Sequence, residues 1–253
     1  MKAIIVSDLH IGSRYCLRED LMQFLDNIPQ DHEFILNGDI IDDPYGKMVA
    51  ADQELLDYFG QMSLRQKVVW VRGNHDNGYV PDNLGKIQIK QHYALQKRLF
   101  VTHGDFFDDV MPQSRVFIKT FRLLHDLRIK LGARPVHVAQ YAKKWRRFYA
   151  YLRKSVMINA VHYARENGFN AVTCGHTHYA EEQIINGIQY LNTGAWTEHP
   201  AFYVRVSANE IVLEKATNVN GQQTSPETPT GQDSDNCHQD SPRAVPISTK
   251  RYR

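Results

Sequence analysis

Phe34-Ile35-Leu36-Asn37-Gly38-Asp39-Ile40-Ile41-Asp42 is the stretch from which the fold can be read: an apolar run ends at a glycine and passes the backbone to a carboxylate. The run has the length of a buried strand, and Gly38 allows the chain to turn. An aspartate at the end of such a strand is costly to place unless a cation or strong donors meet it. Taken alone, Gly-Asp reads more simply as a turn-capping carboxylate. Four other segments reverse that preference and make Asp39 a candidate ligand shared by two metal ions.

Those segments are Ser7-Asp8-Leu9-His10, Gly73-Asn74-His75-Asp76, Thr102-His103-Gly104-Asp105 and Gly175-His176-Thr177-His178. Each follows an apolar run, at 3–6, 68–71, 99–101 and 171–174, so five times a strand ends in His, Asp or Asn. In an open α/β sheet the carboxyl ends of parallel strands share one edge, where five such ends can converge on one crevice.

Through residue 110 strand signals alternate with helical ones, around 17–27 and 51–62, which is the βαβ pattern of an α/β domain. Beyond Gly175 the texture becomes short strands and turns: 183–185, the Asn186-Gly187 turn, 188–191, 201–206 and 211–215. A mixed two-sheet sandwich flanked by helices accommodates both halves. The expected organisation is one domain over 1–215. From 216 the composition turns to Thr, Ser, Pro, Gly, Gln and Asp, and 216–253 is expected to be a disordered tail.

No apolar run has the length of a membrane span or a signal-peptide core, so a cytoplasmic protein is the expectation. Cys16, Cys174 and Cys237 show no paired spacing, which argues against a disulfide framework or a zinc ribbon.

The segment 112–165 departs from the rest. It holds thirteen Lys or Arg against one acid, Asp126, leaving 17 basic and 27 acidic residues elsewhere. Phe117, Phe121, Leu124 and Leu131 share a helical face, as do Tyr141, Trp145, Phe148 or Tyr149, Leu152 and Val156, with a break at Gly132-Ala133-Arg134-Pro135. A basic helical hairpin, inserted as a lid beside the crevice, is the expectation. So many like charges in one segment point to a phosphate-bearing ligand or an anionic membrane surface. Lys143, Lys144, Arg146, Arg147 and Arg153 are its candidate substrate-binding residues.

The chemistry of the five segments follows from their residue types. Asp8, His10 and His178 would complete one ion with Asp39; Asn74, His103 and His176 would complete the other. Carboxylate and imidazole ligands suit two divalent ions of manganese, iron or zinc, and the residue types do not choose among them; manganese is the expectation carried forward, with iron or zinc as alternatives. Such a pair can activate a water for in-line attack on phosphorus. His75 is left to protonate the leaving oxygen, with Asp42 holding its ring. Asp76 and Asp105 are candidate partners for the second nitrogen of a ligating or catalytic histidine.

The set Asp8 to His10, Gly38 to Asp42, Gly73 to Asp76, His103-Gly104 and Gly175 to His178 resembles the calcineurin-like metallophosphoesterase superfamily, with all five blocks in order. The resemblance implies a four-layer αββα sandwich of two mixed sheets and a dinuclear-metal phosphoester hydrolase. Within it the chain looks most like the UDP-2,3-diacylglucosamine pyrophosphatase branch of lipid A biosynthesis and its paralogues. The features are the helical segment after His103-Gly104-Asp105, the hairpin opened by Gly175 to His178, and the run Tyr190 to Trp196. That branch implies a nucleotide-diphosphate lipid as substrate and peripheral docking at the cytoplasmic face of the inner membrane. One position departs: the principal enzyme carries an arginine after the ligating asparagine, and here it is His75, as a paralogue with a different phosphoester substrate would have. Two readings of other classes stand beside this one. One is a nucleotide or nucleic-acid phosphodiesterase, with Trp145, Phe148, Tyr149 and Tyr151 stacking on bases; the other is a catalytically silent binding protein.

Overall fold

The computed structural model describes residues 1–76, 78–110, 123, 127–132 and 143–216. Its strands form two mixed sheets. The first runs β11-β10-β1-β2-β3-β4, built from β1 (Ala3–Val6), β2 (Glu33–Asn37), β3 (Val68–Val71), β4 (Gln88–Lys90), β10 (Phe202–Val206) and β11 (Ile211–Lys215). The second runs β5-β6-β7-β9-β8, built from β5 (Tyr93–Leu95), β6 (Leu99–Val101), β7 (Ala171–Cys174), β8 (Glu181–Ile185) and β9 (Ile188–Asn192). β1 through β4 are parallel, as are β6, β7 and β9, while β5, β8, β10 and β11 pair antiparallel to their neighbours.

Three hydrophobic layers follow from strand alternation. Ala3, Ile5, Ile35, Val69 and Val71 of the first sheet face Leu99, Val101, Ala171 and Leu191 of the second, forming the core between the sheets. The opposite faces of β1, β2 and β3, with Ile4, Val6, Phe34, Leu36, Val68 and Trp70, are covered by α1 (Arg18–Asp26) and α2 (Ala50–Met62). On the far side Phe100, Val172, Cys174 and Tyr190 are covered by α3 (Arg146–Glu166) through Val156, Met157, Ala160, Val161 and Ala164. The result is the four-layer αββα sandwich. Central strands buried on both faces explain the unbroken apolar runs of the sequence.

Part of the expected lid is corrected by this arrangement. α3 is the crossover from β6 to its parallel neighbour β7 and forms the fourth layer of the fold, so 146–165 is not an appended insertion. Val156 is buried because it meets a sheet, not because it closes a hairpin. Residues 127–130 are helical and turn at 131–132, but 111–122, 124–126 and 133–142, which carry most of the expected first arm and the return, lie outside the described residues. The expected tail at 216–253 lies outside them too, apart from Ala216. The sequence reading omitted β4 and β5, whose side chains are mostly polar or exposed because each is a short sheet-edge strand.

Candidate metal centre

β1, β2 and β3 are neighbours in one sheet and β6 and β7 in the other, all five parallel within their sheets, so the residues that follow them gather at one edge of the sandwich. Backbone bonds knit those ends: Asp8 N–H to Gly38 O (3.0 Å), His10 N–H to Asp39 O (3.0 Å), and Gly175 N–H to His103 O (2.8 Å). Asn37 ties the two sheets by donating from Nδ2 to Thr102 O (2.9 Å) while its own carbonyl accepts from His103 Nδ1 (3.1 Å).

The backbone is strained where the side chains converge. Asp8, His10, Asp39, His176 and His178 all have φ between 48° and 59°, the left-handed region. Asp and His tolerate it better than most residues. At roughly 1 kcal/mol each, the five still consume stability comparable to the lower end of a domain's total, about 5 kcal/mol. Glycines flank them because the space is taken. A Cβ on Gly175 would stand 2.1 Å from Asp8 Oδ2, and one on Gly73 would stand 2.3 Å from Asp39 Oδ1.

Asp8, His10, Asp39 and His178 are buried and bring one ligand atom each within 4.8 Å of one another. His178 Nε2 is 3.2 Å from both Asp8 Oδ1 and His10 Nε2. His10 Nδ1 donates to Asp42 Oδ1 (3.0 Å), so in the neutral ring Nε2 carries a lone pair aimed at the cluster. The second set is more open. His103 Nε2 is 3.2 Å from Asp39 Oδ2, and His176 Nδ1 is 3.2 Å from Asn74 Oδ1. Asn74 is exposed and His176 half-buried, whereas His103 is fully buried.

The donor set fits metal ions on its own chemistry. With Nδ1 donating to Asn37 O, the neutral His103 ring has only a lone pair at Nε2, and that buried atom makes no hydrogen bond although a carboxylate oxygen lies beside it. Burial lowers the ring's proton affinity, yet the carboxylates of Asp39 and Asp8 outweigh it and raise it well above the ordinary histidine value. Asp39 answers in the opposite direction: burial would raise it, but His103, His75 and His10 hold it well below the usual carboxylate range. Burial likewise opposes the lowering of Asp8 by His178 and His103, and the raising of His10 by Asp42 and Asp39. Asp8, His10, Asp39 and His103 thus call for positive charge, which a divalent cation supplies without protonating the ligands.

Two expected partnerships are corrected. Asp42 serves His75 through its backbone carbonyl, which accepts from His75 Nδ1 (2.7 Å); its carboxylate goes to His10. The physical reason is reach: His75 and His10 pack edge to face, 4.9 Å between centroids, and the one residue between them has two different acceptors to offer. Asp76 meets no histidine among the described residues. Its two oxygens accept from Gly73 N (2.7 Å), Ile40 N (2.9 Å) and Trp70 Nε1 (2.9 Å), clamping the loop after β2 to the loop after β3. Burial and the nearby Asp39 raise its pKa despite those three bonds.

Asp105 opens a 3-10 turn, Asp105–Phe107, and the carboxylate that meets a ligand ring is that of Asp108, 2.8 Å from His176 Nε2. Sequence reasoning missed Asp108; the clue available was its place three residues beyond Asp105, one 3-10 turn on. Tyr149, expected to stack on bases, instead donates its part-buried hydroxyl to Thr177 O; Thr193 and Asn192, at and just after the end of β9, bond Ser7 and Gly175 beside the ligand loops and were given no role from sequence.

The basic candidates divide. Lys143 donates to His178 O (2.5 Å) and pairs with Glu198, and Arg153 pairs with Glu181 (2.6 Å) with its guanidinium over the Tyr179 ring. Both are therefore occupied within the protein, as supports of the loop after β7. Lys144, Arg146 and Arg147 are exposed at the start of α3, interleaved with the exposed Trp145, Phe148 and Tyr151.

The calcineurin-like phosphoesterase family model matches residues 1–180. Among solved structures the chain is similar to Yfce, a phosphoesterase from E. coli, at 19% identity over 83% of this chain and 91% of that one, TM-score 0.45. It is similar to an archaeal phosphodiesterase at 14% identity, 85% and 99% coverage and TM-score 0.44. It is also similar to the nuclease MPE of Pseudomonas putida, at 14% identity, 84% and 87% coverage and TM-score 0.39. No curated protein matches the chain.

Proposed function

The chain belongs to the calcineurin-like phosphoesterases, metal-dependent hydrolases of phosphoesters, and from that premise we propose that it cleaves an amphiphilic, nucleotide-diphosphate lipid of the UDP-2,3-diacylglucosamine kind at the cytoplasmic face of a membrane. One observation carries the substrate class: three exposed cations, Lys144, Arg146 and Arg147, alternate with three exposed aromatic side chains, Trp145, Phe148 and Tyr151, where α3 abuts the metal-binding loop. Arg146 and Arg147 occupy the first turn of α3, which contains no acid. Like charge at the positive end of a helix dipole is unfavourable until an anion joins it. Cations for phosphates beside aromatic surface for acyl chains is the combination such a substrate needs. Among the described residues no helix is long and apolar enough to cross a membrane, so the contact proposed is peripheral.

Asp8, His10, Asp39 and His178 would hold one ion, and Asp39, Asn74, His103 and His176 the other. When bound, the ions supply Lewis-acid activation of the phosphoryl group and of the attacking water. The protein does the rest. His75, half-buried at the mouth of the cluster, keeps its Nδ1–H on the Asp42 carbonyl, so Nε2 is the atom that carries the mobile proton. As imidazolium, its Nε2–H passes to the leaving oxygen as the P–O bond breaks.

The test is to incubate Mn-loaded protein with UDP-diacylglucosamine, bis-p-nitrophenyl phosphate and single-stranded DNA. Rapid turnover of the lipid alone supports this reading. Preferential cleavage of DNA, with steep salt dependence of binding, would replace it by the nucleic-acid phosphodiesterase reading, in which the same aromatic side chains stack on bases.

A further inference from the structure

We propose that Asp108 is a positioning residue for the second ion, acting through His176. Its Oδ2 lies 2.8 Å from His176 Nε2, and the other face of that ring presents Nδ1 to Asn74 Oδ1 at 3.2 Å. An imidazole donating from Nε2 to a carboxylate has a lone pair at Nδ1. That lone pair faces the amide oxygen of Asn74, and two acceptors 3.2 Å apart repel unless a cation joins them. Asp108 thus selects the tautomer of His176 that ligates through Nδ1, and its charge on the far side of the ring strengthens the ring as a donor.

Asp108 is built into place for this. Its second oxygen, Oδ1, accepts from Val110 N (2.8 Å), and the residue itself is buried. The 3-10 turn that leads to it is anchored to α3 from two directions: Phe107 packs in the cluster beneath α3, and its carbonyl accepts from Asn159 Nδ2 (3.0 Å). His10 has the same device on the other ion, its Nδ1 on Asp42. The two carboxylates hold one histidine of each half of the centre.

The proposal rests on the two-ion reading, and the experiment separates the two. Mn²⁺ is titrated into wild type, Asp108→Asn and Asp108→Ala, with bound metal read by equilibrium dialysis and elemental analysis. Wild type should take up two ions. Both variants should bind the first as wild type does and the second about 10- to 100-fold more weakly, the usual effect of removing such a partner. Their turnover of bis-p-nitrophenyl phosphate should recover as Mn²⁺ is raised. Independently of any variant, the histidine nitrogen NMR spectrum of Zn-loaded wild type should show His176 protonated at Nε2. Two ions held by the variants as tightly as by wild type, with only KM raised, would make Asp108 a substrate contact and overturn the proposal, as would a proton on His176 Nδ1. A wild-type protein that takes up one ion overturns the two-ion reading, and this inference with it.

Discussion

The two halves of the candidate metal centre share Asp39 but sit in opposite surroundings. Asp8, His10, Asp39 and His178 are buried, and the chain closes over them from β1, β2 and the loop after β7. In the other half, apart from the shared Asp39, His103 is fully buried, while Asn74 is exposed and His176 and the neighbouring His75 are half-buried. The closed half has its ligand atoms drawn together by the fold. The open half borders the 3-10 turn Asp105–Phe107, whose following residue Asp108 meets His176. In the proposed two-ion reading this contrast divides the labour: the closed half secures metal, and the open half leaves room for a phosphate and its leaving group.

The largest effect expected is that of Asp39→Ala, because this carboxylate belongs to both halves. The variant should hold far less than two metals per chain by elemental analysis, with turnover at background. A fully loaded Asp39→Ala protein would end the two-metal model and erase the contrast between the halves.

Next in size is His75→Ala, which probes the open half alone. Both ions should be retained, while turnover of a substrate with a poor leaving group falls by roughly a hundredfold or more, the scale of general acid catalysis. With p-nitrophenolate as leaving group the loss should shrink. Equal impairment on both substrates, or loss of metal, would remove His75 from the chemical step.

Asp42→Ala sharpens the comparison from the closed side. It deletes the carboxylate on His10 and leaves the main-chain carbonyl that holds His75. Metal affinity should drop about 10- to 100-fold, and at saturating Mn²⁺ the ratio of rates on good and poor leaving groups should stay as in wild type. A changed ratio would mean that the side chain acts on His75 after all.

The smallest effect is that of replacing Lys144, Arg146 and Arg147 together by Ala. At about 0.3–1 kcal/mol per charge near a helix N-terminus, KM for the lipid should rise roughly tenfold, with little change for a small soluble diester. Lys143 is left out because it supports the His178 backbone. Equal losses on both substrates would point to a role in folding.

The five segments that carry the candidate ligands were readable from sequence for a definite reason. A strand buried on both faces must be an unbroken apolar run, so a polar residue at its end stands out, and parallel neighbours place their ends on one edge. Val68-Val69-Trp70-Val71 before Gly73-Asn74 is an example, paired with Phe34 to Asn37 in register. Edge strands such as Gln88–Lys90 carry no such contrast and went unread. The amphipathic, basic character of 146–165 was equally plain, but amphipathicity reports only that a face is covered. It does not say by what, and here the cover is the second sheet.

By itself, then, the sequence determined a mixed two-sheet α/β sandwich, the cluster of Asp, His and Asn at strand ends and the concentration of positive charge before β7, because each is written in local pattern and spacing. Only the tertiary structure decided which acceptor serves which ring. Asp42 turned its carboxylate to His10 and its carbonyl to His75, Asp76 became a clamp on two loops, and Asp108 rather than Asp105 reached His176. Hydrogen bonds have a range of about 3 Å and a direction. Which of several nearby carboxylates meets a given nitrogen is therefore set by how separate strand ends are packed against one another, and residue spacing along the chain carries no record of that.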